Sequence, residues 1–522
     1  MEIIIVGAGI GGLSAALSLS LAGHKVIVLE SASAIAAVGA GVQVAPNATK
    51  CFWKWGLGAD ISAKSALPEA FNIISGSDGE PLGRVPFAPF SKQYGAPYIT
   101  IHRADIHEIL HRHALGAGAE IRLGSRVLHY DFEDGVVRLA TGERLQADLV
   151  VAADGINSVA RKAFLPELGD GLGKTGWAAY RSMVSVENIK RNPITAHIAS
   201  QHACNCWSGD HHCVVSYLVN GGSMLNMAFS HPDDVDASGW TSEQCLAELR
   251  SIYSGWNPTL AALLDMAEPP AQNWPVQQVK SLPTWKSNSG RFVLMGDAAH
   301  AMAFYLSMGV SLAVEDADVL TACLELMKKS GITQQEAMCI FEAVRKPRAE
   351  AVSAASLHAG NTLQLPRGTD QDVRDLALAS DGASIDVQED EQFYKHKKSF
   401  GIADKQIRDW CYSYDAVAAV EQEWQKFREK RAVDDVALSV ILPSSRIFNW
   451  IPISNMDEPQ KTFRLEHLSS ENDLDQFLAN GRETILTHSR SAQITRALPL
   501  GWGCRLPSRR SVQEARIDKL QN

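Results

Sequence analysis

The sequence predicts an α/β chain: a parallel-sheet domain interrupted by a mixed or antiparallel β-sheet insertion and followed by C-terminal helices. Three observations carry that prediction. First, an apolar run, Ile3 to Val6, feeds Gly7-Ala8-Gly9-Ile10-Gly11-Gly12, then a small-residue segment to Ala22, a stop at Gly23, and a second apolar run, Val26 to Leu29, ending in Glu30. Second, two later segments, Ala147 to Ala153 and Arg291 to Met295, are close to continuously apolar, as buried parallel strands are, and end in Asp154-Gly155 and Gly296-Asp297. Third, from Trp177 to Trp285 the pattern changes to alternating β segments, Trp177 to Val186, Cys213 to Val219 and Met224 to Phe229. One helical interruption, about Ser242 to Tyr253, breaks them.

The N-terminal element reads as strand, tight turn, helix and parallel strand. Gly7 permits the turn, Gly9 lets backbone approach a pyrophosphate, and Gly12 lets helix and strand pack closely. The helix start offers unpaired N–H groups to an anion, and Glu30 stands where an acid accepts from ribose hydroxyls. A dinucleotide site follows.

At 522 residues the chain has room for two or three domains. Its 46% hydrophobic and 21% charged content is that of a soluble globular protein. A formal charge of -10 leaves no basic footprint, which argues against nucleic acid or an anionic membrane as partner. Nine scattered cysteines suit a reducing compartment, and the expected location is cytoplasmic. Ile3 to Ala22 carries no charge and could pass for a signal peptide, but it lacks a basic start and four glycines interrupt it.

In chain order, Gly39 and Gly41 suit close approach of backbone to a ligand, or an ordinary loop, before a helix over Ala48 to Trp55. Residues 67 to 100 carry turn signals between short alternating runs, as in an antiparallel excursion. A helix is expected from Ile101 to about Ala114. Arg103 at its start is placed to reach a phosphate or ribose, or else to pair with Asp105 or Glu108. Glu120 to Leu145 reads as a β-meander turning at Asp134-Gly135 and Thr141-Gly142. Asp154 and Asp297 each follow a strand's carboxyl end, where ligands of open α/β sheets gather. Cys204 and Cys206 with His211, His212 and Cys213 lack four-ligand zinc spacing, and Trp207-Ser208-Gly209-Asp210 reads as a hairpin turn. A helix from about Val310 through Met327 follows Gly309, and further helices are expected at Gln334 to Lys346, Pro347 to Ala359 and Ala416 to Lys430. Beyond Lys430 no period is sustained, which predicts partial disorder.

Together these residues resemble the single-component, salicylate hydroxylase-like flavoprotein monooxygenases. The matching pieces are Gly7 to Gly12 with Glu30, the Gly39 to Asn47 loop, His102 to Asp105, Asp154-Gly155, Ala179-Tyr180-Arg181, and Gly296 to His300 followed by Gly309 and Glu315-Asp316-Ala317. The likeness spans residues 1 to about 428 and implies a p-hydroxybenzoate hydroxylase-like fold holding one FAD. It divides the chain into an FAD-binding domain (1–66, 100–176 and 287–360), a substrate domain (67–99 and 177–286), a C-terminal helical region (361–430) and a tail (431–522).

By that resemblance Glu30 holds the adenosine ribose, Arg103 contacts the FAD backbone, Asp154 serves FAD and NAD(P)H, and Asp297 accepts from the ribityl chain. The helix start at Gly309 and Val310 faces the flavin pyrimidine edge, where a helix dipole stabilises the anionic reduced ring. The implied chemistry is reduction of FAD by NAD(P)H as co-substrate, reaction with oxygen to a C4a-hydroperoxyflavin, and hydroxylation of a phenolic or electron-rich aromatic small molecule. A cation beside the phenol favours its ionised form. Arg181 is the candidate, its alternative being a structural bond to a carbonyl; Tyr217 hydrogen-bonds the substrate oxygen or is a core tyrosine. His300 reads as structural. Phe304 and Met308 stand where the family usually has proline and glutamine, leaving open epoxidation or dehydrogenation of a natural-product scaffold. A flavin-binding, redox-responsive partner protein without turnover, using the tail, is a third reading. No membrane span and a monomer or homodimer are expected.

Overall fold

A computed structural model describes residues 1–35, 39–267, 272–379 and 401–441 of the chain. Two units divide it, Met1–Glu429 and Lys430–Asn522; the sites described below all lie in the first. From residue 442 on, the tail lies outside the described residues.

Strand β1 (Glu2–Val6) turns at Gly7 into helix α1 (Ile10–Leu21), and β2 (Lys25–Leu29) returns parallel to β1. Next come β3 (Gly41–Val44), α2 (Pro46–Lys54) and α3 (Gly58–Lys64). Pro46 opens α2 because a missing N–H costs nothing in a first helical turn. A hairpin of β4 (Ala70–Ser75) and β5 (Pro81–Pro86) is followed by α4 (Phe90–Tyr94) and β6 (Ile99–His102), which pairs with β3. Helix α5 (Arg103–Gly116) begins two residues later than expected: Ile101 and His102 continue β6, and His102 Nδ1 caps the helix by accepting from the Ala104 N–H.

The meander is shorter than the sequence suggested. Glu120 to Arg122 form β7, which joins the parallel sheet on the open edge of β2. The meander proper is β8 (Val127–Asp131), β9 (Val136–Leu139) and β10 (Arg144–Gln146). Then β11 (Leu149–Ala152) and α6 (Val159–Phe164) return to the main sheet.

The insertion comprises β12 (Leu172–Ser185), α7 (Val186–Arg191), α8 (Ala196–Ser200), β13 (Cys204–Gly209), β14 (His212–Val219), β15 (Met224–Pro232), α9 (Ser242–Ile252), α10 (Pro258–Asp265) and β16 (Asn273–Val279). Its sheet runs β16-β12-β15-β14-β13-β4-β5. Trp207 to Gly209 are not the hairpin turn expected of them but the end of β13. Ser208 is buried and donates to the Leu363 carbonyl, so the turn moves on to Asp210-His211, where His211 takes a φ of 56°. Among the described residues no three His, Cys, Asp or Glu side chains gather closely enough to hold a metal, and no helix is long and apolar enough to cross a membrane.

The chain closes with β17 (Phe292–Leu294), α11 (Asp297–His300), α12 (Gly309–Ser330), α13 (Gln334–Leu363), α14 (Thr369–Ala379) and helices Lys405–Tyr412 and Ala416–Ile441. Pro347 does not divide α13 into the two helices expected. A proline in a helix interior costs about 3 kcal/mol, and here Arg345 and Arg348 on either side of it are both anchored to buried carboxylates.

The parallel sheet has the order β17-β11-β1-β2-β7. Val6 lies opposite Ala152, and Ala152 opposite Leu294, so three strands end at one level. One apolar core runs through this sheet and onto one face of the inserted sheet, while a second, with Trp207, Phe229 and Tyr253, fills the space between the insertion's other face and its helices.

Candidate active site

At the aligned strand ends the glycines differ in what their missing side chains avoid. A Cβ on Gly12 would run into the Gly7 carbonyl oxygen, and one on Gly7, whose φ is 103°, would lie 2.5 Å from the Ala153 oxygen. Those two serve close packing of protein on protein. A Cβ on Gly9 meets nothing within 4 Å, so the space above it is open to a ligand. Helix α1 starts there with no side-chain cap, leaving its first N–H groups for an anion. FAD's pyrophosphate fits this opening in both shape and charge.

Glu30 is tied to the same turn. Its Oε2 accepts from the Ala8 N–H at 2.8 Å, and Oε1 accepts from the Ala32 N–H at 2.8 Å. From the other side the His107 Nε2–H donates to the Ala8 carbonyl at 2.6 Å. His107 carries no signal in the residue order, because helix position alone does not say which face returns to the glycine turn.

The second glycine pair accommodates protein, which corrects its expected reason. A Cβ on Gly39 would lie 2.9 Å from Arg103 Cβ, and one on Gly41 would lie 2.7 to 2.9 Å from Tyr217, Val219 and Asn226. Gly41 donates its N–H to Asn226 Oδ1 at 2.8 Å and accepts at its carbonyl from the Tyr217 hydroxyl at 2.7 Å. In this way β3 is pinned to the inserted sheet.

Asp154 turns to the helix behind it: Ser158 Oγ donates to Oδ1 at 2.5 Å and the Ala160 N–H to Oδ2 at 3.0 Å. At this strand end it is Ala153 and Gly155 that face the cavity. Asp297 does face it, open to the cavity yet surrounded by protein, and that burial raises its pKa above the usual carboxylate range, against the opposing pull of His300 and Arg103.

Helix α12 also begins without a side-chain cap, Met308 being its N-cap, and a Cβ on Gly309 meets nothing within 4 Å. What holds this helix start is a buried ion network that the sequence did not disclose. Arg345 donates to Asp316 Oδ1 and Glu315 Oε2, each at 2.7 Å, and Arg348 grips both Glu315 oxygens at 2.7 and 2.9 Å. Asn47 donates to Glu315 as well, at 2.6 Å. Asp316 Oδ2 in turn accepts from the Gly296 N–H at 2.8 Å and bonds His300 Nε2 at 2.7 Å. Gly296 directly precedes Asp297, so the network sets both the acid and the helix start. Arg348 is covered by the Tyr414 ring at 3.8 Å.

These elements enclose a cavity of about 350 Å³. Of the residues singled out from the sequence, Gly9, Gly41, Arg103, Arg181, Tyr217, Asp297, Gly309 and Val310 line it, whereas Gly7, Gly12, Glu30 and Asp154 stand behind its wall. Arg181 reaches it from β12, opposite Ala228 of β15, which lies opposite Val215 of β14; both neighbours line the cavity. Among the described residues no hydrogen bond or ion pair engages the Arg181 guanidinium. The Tyr217 hydroxyl is satisfied by Gly41, burial raises its pKa, and Arg181 pulls it partly back.

Other lining residues were not foreseen: Gln43, Phe71, Met302, Tyr305, Ser307 and Leu363. Tyr305 occupies the hollow left by Gly360 of α13 and bonds Ser230 Oγ at 2.8 Å, with the Phe304 ring 4.6 Å away. Phe304 lines the cavity, but Met308 is buried beneath it.

Comparison with known proteins agrees with this geometry. Residues 1–356 match the family model described as FAD binding domain. FAD-dependent monooxygenase OpS4 of Beauveria bassiana (strain ARSEF 2860) is 32% identical over 424 residues, 81% of this chain and 96% of the relative. The 6-hydroxynicotinate 3-monooxygenase of Bordetella bronchiseptica is 32% identical over 68% of this chain and 90% of its own length. Among solved structures, a salicylate hydroxylase substrate complex superposes with a TM-score of 0.61 at 23% identity, covering 81% of this chain and 98% of that one.

Proposed function

The chain belongs to the FAD-binding-domain family of FAD-dependent monooxygenases, and from that premise we propose that it uses NAD(P)H and oxygen to hydroxylate a phenolic or otherwise electron-rich aromatic small molecule paired with Arg181. The observation that carries this reading is a guanidinium that no hydrogen bond or ion pair engages among the described residues, beside Phe71, Val215 and Ala228 on the cavity wall. A partly buried cation without a partner is costly unless an anion arrives. The 6-hydroxynicotinate relative has an anionic hydroxylated ring in its name.

FAD, when bound, carries electrons from the nicotinamide and activates oxygen. Glu30 and His107 fix the turn at Ala8, with Glu30 also presenting its carboxylate to the ribose. Arg103 and Asp297 would hold the cofactor, and the uncapped start of α12 would favour negative charge placed against it. Asp154 shapes the strand end by capping α6, which supports the FAD and NAD(P)H path lined by Ala153 and Gly155. Arg181 lowers the pKa of a substrate phenol beside it, and the ionised oxygen enriches the ring carbons that accept the new hydroxyl. Tyr217 donates to Gly41, so its oxygen is left to accept from a protonated group of the substrate other than the ionised oxygen. Phe71, Val215, Ala228 and Leu363 keep water from the reacting centre.

The test pairs two variants with a panel of aromatic acids and phenols under labelled oxygen gas. Arg181→Ala should keep FAD and lose about 10- to 100-fold in hydroxylation, the size of a charge-assisted bond of about 1.5–3 kcal/mol. Asp297→Ala should be purified with little flavin. Absence of label from every product would sink the proposal; equal flavin loss in both variants would make Arg181 structural.

A further inference from the structure

Ser307 stands on the cavity wall two residues before α12, in a backbone conformation that side chains rarely take. Its φ is 56°, in the left-handed region, where a residue other than glycine costs about 1 kcal/mol. The conformation is held from outside. Gln43 on β3 donates from Nε2 to Ser307 Oγ at 2.9 Å, and the Tyr98 hydroxyl donates to Gln43 Oε1 at 2.9 Å. Gln43 and Tyr98 are both buried.

The direction of this chain follows from Tyr98. Burial raises its pKa well above that of an ordinary phenol, so it keeps its proton and donates it. Gln43 must then present oxygen to Tyr98 and nitrogen to Ser307, and the serine oxygen is used as an acceptor. What remains is the serine proton. Ser307 lies close enough to Tyr98 to lower its pKa somewhat, so the proton either turns back toward the phenol oxygen or forward into the cavity. A ligand acceptor in the cavity decides between them.

We propose that Ser307 donates a hydrogen bond to the bound flavin, and that Tyr98 and Gln43 position it as a donor. The cofactor is favoured over the substrate by where these groups sit. Ser307, Gly309 and Val310 are consecutive cavity residues at the uncapped start of α12, and Gln43 belongs to β3; the inserted sheet that carries Arg181 supplies none of them. A hydroxyl donor there adds to the helix N–H groups and favours the more negative, reduced ring.

The inference rests on the flavin reading of the cavity, and the experiment separates the two. Wild-type holoenzyme, Ser307→Ala, Ser307→Gly and Tyr98→Phe are compared without substrate, by spectroelectrochemical titration of the bound flavin and by the FAD dissociation constant. Both serine variants should bind reduced flavin about 10-fold less tightly relative to oxidised flavin, a fall of about 30 mV in two-electron potential. Tyr98→Phe should move it the same way by less, since Gln43 is then free to turn its amide. Ser307→Gly should melt higher than Ser307→Ala, because glycine relieves the left-handed strain while both lack the donor.

An unchanged potential with a raised KM for substrate would reassign the donor to the substrate and overturn the proposal. An unchanged potential and unchanged KM would leave the proton on Tyr98 and overturn it equally. Wild-type protein that bound no FAD would instead overturn the flavin reading itself.

Discussion

On the parallel-sheet side of the cavity, α1 and α12 begin without any side-chain cap, whereas α9 and α13, which start elsewhere, open on complete capping boxes, Thr241 with Gln244 and Thr333 with Glu336. The opposite wall is built differently. There the inserted sheet contributes side chains, Arg181, Val215, Tyr217 and Ala228, in cross-strand register. A cap on α1 or α12 would satisfy the N–H groups that an anionic ligand needs, so at these two helix starts backbone is kept bare. The inserted sheet meets the cavity with side chains, of which Tyr217 is also bonded to Gly41 of β3.

The strongest way to break that contrast is at Gly12. Gly12→Ala drives a methyl into the Gly7 carbonyl, and a backbone clash of this kind belongs with losses of at least about 4 kcal/mol. The variant should be purified as apoprotein or fail to fold, with flavin absorbance per protein as the measure. Flavin content equal to wild type would mean the turn is not backbone-limited.

Where the two walls meet, Gly360→Ala should press on the Tyr305 ring, which bonds Ser230 of β15, and push it toward the cavity. Overpacking costs about 1–3 kcal/mol, so KM for the substrate should rise about 10-fold while FAD affinity holds. A matching loss of FAD would show that the two walls are not separable.

Acidification probes the ion network behind the start of α12, with the smallest effect at neutral pH. Burial pushes the Glu315 and Asp316 carboxyls up, but Arg348, Arg345 and His300 more than reverse it, and both end below the ordinary range. Because the folded values lie below the unfolded ones, their contribution is whole above about pH 4.3 and is lost as pH falls from there toward the folded values. The melting temperature should therefore decline below about pH 4.3, while flavin stays bound until the fold itself is lost, since Asp316 keeps its charge and its hold on Gly296 well below that pH. A melting temperature flat from about pH 5 to about pH 3 would contradict this account of the network.

Part of this site could be read from residue order. The glycine turn and the buried strands at Val150 and Val293 are local patterns, and the alternation from Trp177 to Val186 places Arg181 on a strand. Other features depend on partners beyond any local window: the reason for Gly41 is Tyr217 and Asn226, 176 and 185 positions on, and the continuity of α13 through Pro347 depends on Glu315 and Asp316 of the preceding helix. Glu120 to Arg122 were misplaced for the same reason, since a three-residue strand carries too little pattern to say which sheet edge accepts it.

By itself the sequence determined the nucleotide-binding turn, the three strand ends and the identity of the inserted β-sheet, because backbone sterics and hydrophobic period act between near neighbours. The tertiary structure decided that Asp154 caps a helix while Asp297 faces the cavity, and that Tyr98, Gln43 and Ser307 form one chain of hydrogen bonds. It also decided that Gly9 opens on ligand space while Gly12 closes on protein. These depend on side-chain direction and on which surfaces meet, and neither is set until distant segments pack.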